Sequence, residues 1–208
     1  MNAQDYEKAF LNAEKLKNTT SSYEICKDSL KILSFSQDDK LRKLIFFLFE
    51  LGIASVIAHQ VDTNTMLRDI IVFLAPILVA LIAIVFAGYA FFQAVMTDEL
   101  LVALLSETDE KQGNLINTNS YFAELMEIQF ICLLLDIFTI AVITIIPAEW
   151  CLFRNRMLNE IVSTLIITPI LYCNTECICE MKSFVFNVFQ LFNLSSYARI
   201  RELKRSKK

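Results

Sequence analysis

Long uncharged stretches separated by short polar ones set the plan of this chain. The longest covers residues 70–96, IIVFLAPILVALIAIVFAGYAFFQAVM, and contains no Asp, Glu, Lys, Arg or His. A bilayer core about 30 Å thick takes roughly 20 helical residues, so this run is long enough to cross a membrane with some tilt. Water-soluble helices seldom stay apolar on every face over such a length. Residues 44–60, 128–148 and 157–178 are also largely apolar, though each contains an acidic residue. The pattern predicts an all-α fold, an integral membrane four-helix bundle within residues 41–180. Cytosolic amphipathic helices precede it in 1–40, and a Phe-rich interfacial helix with a basic tail follows in 181–208. Within 70–96, Ala80, Ala83, Ala87, Ala90 and Ala94 recur at spacings of three and four. They fall along one side of the helix, where small side chains let another helix approach closely.

The flanks add shorter elements. Tyr6, Phe10, Ala13 and Leu16 share a face between solvated charges, which predicts an amphipathic helix over residues 3–17. Ser21 followed by Glu24 has capping-box spacing, and Cys26, Leu30 and Leu33 mark a second short helix. Ser36 with Asp39 repeats the cap signal and opens a helix that leads into 44–60. After the second span, residues 100–105 extend that helix beyond the membrane, and 113–120 form a loop. Asp98, Glu99, Glu107, Asp109, Glu110, Glu124 and Glu127 stand there against Lys111 alone. Pro147 closes the third span beside Trp150 as an interfacial anchor, and Pro169 puts a kink in the fourth. Residues 183–197, SFVFNVFQLFNLSSY, are uncharged yet too short to span. Ser183, Asn187 and Gln190 make a thin polar stripe against the phenylalanines, which reads as a helix in the headgroup plane or, alternatively, an oligomer contact.

Charge supplies the orientation. Of nineteen Lys and Arg, sixteen lie in the N-terminal flank, the acidic connection and the C-terminal part, which share a side in a four-span topology. That side is expected to be cytoplasmic, with both termini there and the protein in the inner membrane. Arg199, Arg201, Lys204, Arg205, Lys207 and Lys208 suit anionic lipid headgroups. The opening MNAQDYEKAF has acids and no early apolar core, so it does not read as a cleaved secretory signal. With 55% hydrophobic residues and only three Gly and three Pro, the composition fits one helical membrane domain with short flanks.

The chemistry rests on ionisable groups inside the spans. Glu50 interrupts the first span and Asp136 the third, and each costs a few kcal/mol or more unless it faces the bundle interior, pairs or is protonated. Both lie roughly 9 to 12 Å in from the cytoplasmic ends of their helices, so they could meet at one level. Gln93 and Glu176 belong to the same inner half, which makes these four the candidates for an ion path. The plain reading is that such groups only hydrogen-bond a neighbouring helix. His59, the sole histidine, reads as an interfacial anchor, and Cys173, Cys177 and Cys179 lack the partners of a zinc site, so no metal and no cofactor are expected. GxSxG, HExxH and GxGxxG are missing, and one Asp in the spans makes no aspartyl dyad, so an enzyme is not expected. Membrane lipids, further copies of the chain and a soluble cytosolic protein are the expected partners, with no direct nucleic acid.

In its length and its four spans with cytosolic termini, the chain is similar to the small membrane subunits of bacterial anti-phage defence systems, such as the membrane component of Kiwa. The same layout resembles the immunity proteins for pore-forming colicins. The first resemblance implies a membrane-perturbation sensor or effector acting with a soluble partner; the cation-permeable path of an oligomer is the expectation that Glu50 and Asp136 raise. The second implies an anchor or scaffold with no conduction.

Overall fold

The computed structural model describes residues 7, 9–11, 13, 21–34, 40–106, 115–146, 153 and 155–206, with only the backbone of 99, 103, 106, 116, 201, 202, 205 and 206. Every element among them is helical. Helix α1 (Ser22–Ser29) opens on the expected capping box: Ser21 Oγ accepts from the Glu24 N–H, and the Glu24 carboxylate accepts from the Ser21 N–H at 3.0 Å. A 3-10 turn (Leu30–Leu33) follows. Then come α2 (Lys40–His59), α3 (Thr63–Ala94), α4 (Asp98–Ser106), α5 (Leu115–Ile145) and α6 (Arg156–Ser206). The helix expected over 3–17 lies largely outside the described residues, although 9–11 are helical and Ala9 is buried. The Ser36–Asp39 cap, residues 107–111, 113 and 114, Pro147 and Trp150 also lie outside them, while 115–120 of the expected loop are helical.

Three helices are long and apolar enough to cross a membrane: Thr63–Ala94, Asn117–Ile145 and Arg156–Ile200. The first expected span, α2, is set apart by four charges in its 20 residues, Lys40, Arg42, Lys43 and Glu50. The outer surface of the bundle is built from Phe49, Val72, Phe73, Leu134, Phe138 and Leu165, all exposed, while Glu50, Gln129, Asp136, Asn174 and Glu176 are buried. This distribution, apolar outside and polar inside, is that of a protein whose surroundings are hydrocarbon.

Helix α6 is the spine. Helix α2 packs chiefly along it, α3 packs chiefly along α5, and α6 touches α3 and α5 as well. The pairing of His59 with Glu160 at one end and Arg42 with Glu180 at the other makes α2 and α6 antiparallel. Helix α3 buries Leu67 and a seam of Ile71, Leu78, Val85 and Phe92 at intervals of seven, the spacing that keeps one side against its neighbours. At 100° per residue, the alanine stripe falls roughly half a turn away from that seam. Accordingly Ala80, Ala83, Ala87, Ala90 and Ala94 are all exposed: the protomer does not use them for its own packing.

Several expected boundaries move. Residues 157–178 and the Phe-rich segment are one uninterrupted 51-residue helix, α6, instead of a span and a separate interfacial helix. No Gly or Pro occurs between Ile170 and Ser206, so nothing in the sequence stops the helix, and it runs through Pro169. Phe184 and Phe192 pack on α5 and α3, against Phe122 and Phe91. Residues 100–105 belong to a separate helix, α4, because α3 ends at Ala94 and the Thr97 hydroxyl accepts from the Leu100 N–H at 3.3 Å, starting a new one. Helix α5 begins at Leu115, well ahead of the apolar run, so Glu124 and Glu127 are helical.

The N-terminal elements are tied to the bundle through three consecutive carbonyls at the end of the 3-10 turn. The buried Lys43 ammonium donates to Ile32 O and, at 2.8 Å, to Ser34 O, and the Tyr172 hydroxyl donates to Leu33 O at 3.3 Å. These groups would otherwise be orphan acceptors of a helix end.

The two described helical glycines of α2 and α3 give contrasting expectations. A Cβ on Gly88 would sit 2.5 Å from Phe184 Cζ, whereas one on Gly52 meets nothing within 4 Å. Gly88→Val is therefore expected to lower stability by about 1–3 kcal/mol through overpacking. Gly52→Ala is expected to be neutral or to stabilise by up to about 1 kcal/mol through helix propensity. Thermal unfolding of the purified proteins in one detergent checks both, and equal melting temperatures for the two variants would contradict the packing at Gly88.

Candidate functional site

Three consecutive residues of α6, Asn174, Thr175 and Glu176, organise the buried polar groups. Successive helical side chains diverge by 100°, so the three reach different neighbours from a single turn. The Asn174 amide uses both of its donors, one to Asp136 Oδ1 on α5 at 3.0 Å and one to its own helix at Ile170 O, also 3.0 Å. The Thr175 hydroxyl donates to Glu50 Oε1 on α2 at 2.5 Å, the short distance expected when the acceptor is a carboxylate. Glu176 lies 3.8 Å from Arg42 Nη2 of α2, and the same guanidinium bonds Glu180 one turn on at 3.3 Å. Asp136 and Glu176 are fully buried, and Glu50 retains 5% exposure.

This layer separates two apolar cores. On one side Ala54, Ile57, Leu67, Ile71, Ile167, Ile170 and Leu171 pack together. On the other a larger cluster takes in Leu78, Val85, Phe92, Phe122, Leu125, Cys132, Cys177 and Phe184. Along the seam between α5 and α6 further polar contacts continue the layer. The Cys177 and Cys132 thiols meet at 3.4 Å, and the Gln129 amide donates to Met181 Sδ at 3.5 Å. Asp136 Oδ2, Asn174 Oδ1 and Gln129 Oε1 are buried and accept no hydrogen bond from a described residue. Such acceptors are costly to leave unmet, which singles this seam out from ordinary packing.

Of the four residues expected to line one path, Glu50, Asp136 and Glu176 are brought to one level on α6. Gln93 is not. It is exposed on the last turn of α3, whose neighbours Phe91 and Val95 meet Phe192 and Ser195 of α6. Ser195 is twenty-one residues beyond Asn174, about 30 Å along the helix. Counting depth from the apparent end of the apolar run misplaced Gln93, because α3, α5 and α6 all continue past the level of the acids. Glu50 and Asp136 share a level but each has its own α6 partner. Asn174, Thr175 and Arg42 escaped the sequence reading, which followed the acids within spans and Gln93. The polar triplet Asn-Thr-Glu inside an otherwise apolar run was the available signal.

Near the same end of α2, Asp28, Lys31, Ile32, Lys43, Glu124 and Glu180 line an open cleft of about 350 Å³. Asp28 bonds the Lys31 ammonium at 2.6 Å and holds its pKa above the ordinary lysine value. Among the basic tail residues, Arg199 and Lys204 are exposed; the side chains of Arg201 and Arg205, with Lys207 and Lys208, lie outside the described residues. Among the described residues no group of three metal-ligating side chains is assembled.

Asn174→Leu is expected to destabilise the protein by about 3–5 kcal/mol, because it strands a buried carboxyl group. Adding Asp136→Leu is expected to restore most of the loss, since removing both partners of a buried polar pair is far cheaper than removing one. Thermal unfolding of the single and double variants reads this. A double variant no better than Asn174→Leu alone would mean that the two side chains do not act as a pair.

Protein-family models, curated proteins and solved structures were compared with the chain, and none matches.

Proposed function

We propose that the chain is a multi-pass inner-membrane protein that works as a homo-oligomeric sensor or effector together with a soluble cytosolic partner. The resemblance of its expected four-span layout to the membrane subunits of anti-phage defence systems supports this reading. In its active state the buried acidic layer lines a cation-permeable path. One observation carries the proposal: Glu50, Asp136 and Glu176 are sealed inside a bundle whose outer surface is apolar. Ionisable groups in membrane helices are expensive, and rings of acidic side chains line the pores of cation channels.

Helix α2 serves as the fourth span in this reading. Its 20 residues extend about 30 Å, the thickness of a bilayer core. Lys40, Arg42 and Lys43 gather at one end, Leu44, Ile45, Leu48, Phe49 and Val56 face outward, and Glu50 turns inward to α6. The excess of Lys and Arg in both flanks supports cytoplasmic termini.

A second reading, an anchor or scaffold without conduction, draws on the donors that Glu50 and Asp136 already have in Thr175 and Asn174. A carboxyl oxygen already met by a donor, as Glu50 Oε1 and Asp136 Oδ1 are, needs no ion.

Potassium efflux from liposomes containing the purified protein, measured over a range of applied potentials, separates the two. Conduction predicts efflux from the native chain and at least a tenfold fall for Asp136→Asn. Native liposomes as tight as protein-free ones at every potential would reject the path and leave the scaffold.

A further inference from the structure

The cleft that joins α1, α2, α5 and α6 is open and lined by Asp28, Lys31, Lys43, Glu124 and Glu180. Five ionisable side chains around an open space cannot sit in hydrocarbon, so the cleft marks one edge of the apolar slab. Helix α6 continues past Glu180 for twenty-six residues, about 39 Å. The end of α3 goes with it: a Cβ on Gly88 would meet Phe184, Phe91 stacks on Phe192 at 6.4 Å, and the Ser195 hydroxyl donates to Val95 O at 3.3 Å. These two segments leave the slab side by side, and their outer faces are mostly apolar, with Gln93, Gln190 and Asn193 as exposed polar positions. On α3, Phe86 and Phe91 wall the groove over Ala87, Ala90 and Ala94; on α6, Phe186, Phe189 and Phe192 form a ridge.

We propose that this face is where two copies of the chain pair, the ridge of each filling the alanine groove of the other about a two-fold axis. It gives the homo-oligomer of the proposed function its contact surface. Three features favour a second copy over other occupants. The face is self-complementary, since ridge and groove lie next to each other on one molecule and a two-fold axis makes both contacts at once. It has no Asp, Glu, Lys, Arg or His in 70–96 or in 183–198, so a charged partner finds nothing to match. The area is sufficient: Phe86, Phe91, Phe186, Phe189 and Phe192 are 63%, 40%, 58%, 60% and 50% exposed. At about 200 Å² for each phenylalanine, these five alone offer about 500 Å² per copy and about 1,000 Å² for a pair, the size at which specific interfaces begin.

The test places a photoreactive benzoylphenylalanine at Phe189 of the full chain and irradiates it in native membranes. The expected product is a doublet of the 23.9 kDa chain. It should be lost with Ala90→Trp, which fills the groove at an exposed position, and absent when the probe replaces Phe138, which is 67% exposed on α5. Particle mass in nanodiscs should fall from two copies to one with Ala90→Trp. A single-chain band throughout would assign the face to lipid, and a band of another mass to a different protein; either overturns the proposal, as would equal doublets from Phe189 and Phe138. Crosslinking is read independently of ion flux. A doublet without flux removes conduction and keeps the interface, and flux without a doublet does the reverse.

Discussion

A carboxyl group sealed among helices must be met by a donor, and in this protein one turn of α6 supplies the donors on two sides. Asn174 answers Asp136 and Thr175 answers Glu50, while Glu176 and Glu180 draw Arg42 toward the same turn. Apolar contact is non-directional and tolerates a helix sliding or rotating by part of a turn. Hydrogen bonds to buried acids do not, because a slip leaves a charge or a lone pair without its partner. The polar layer therefore fixes the register of α2 and α5 on α6, and the apolar cores on either side fill in around it.

The same layer bears on how the bundle comes together. Helices adjacent in sequence are not the principal partners: α2 waits for α6, whose contacting residues lie more than a hundred positions later. Until then Glu50 lacks Thr175. In a membrane, where lipid tails offer no hydrophobic drive for helix pairing, polar matches of this kind guide which helices associate. Glu50 on α2 thus takes its donor, Thr175, from the last helix.

Much of the fold could be read from periodicity. The uncharged run 70–96, the apolar runs in α5 and α6 and the Ser21 capping box all rest on local chemistry that a sequence carries in full. Element ends were less legible. Residues 115–127 mix Asn, Ser and Glu with Leu, Tyr and Phe, which suggests a connection, yet Phe122 and Leu125 are buried and draw them into α5. The join between 178 and 183 reads as a boundary because the charge of Glu180 and Lys182 interrupts the apolar pattern, while the backbone has no reason to break there. Candidate acids were visible because ionisable residues stand out against apolar neighbours. Their partners were hidden because an Asn or a Thr in a membrane helix is unremarkable until the helix facing it is known. Gln93 shows the opposite failure: a polar residue near an apolar boundary says nothing about which level of the bundle it occupies.

Helix α6 also has a mechanical consequence. It runs from the polar layer at Asn174 to Ser206 with no Gly or Pro, thirty-two residues or about 48 Å of continuous helix. A rod of that length is a lever. Tilting it by about 10° about the polar layer would carry its far end through about 8 Å. Phe184, Phe192 and Ser195 fasten this arm to α5 and α3, so any such tilt would have to carry those helices with it.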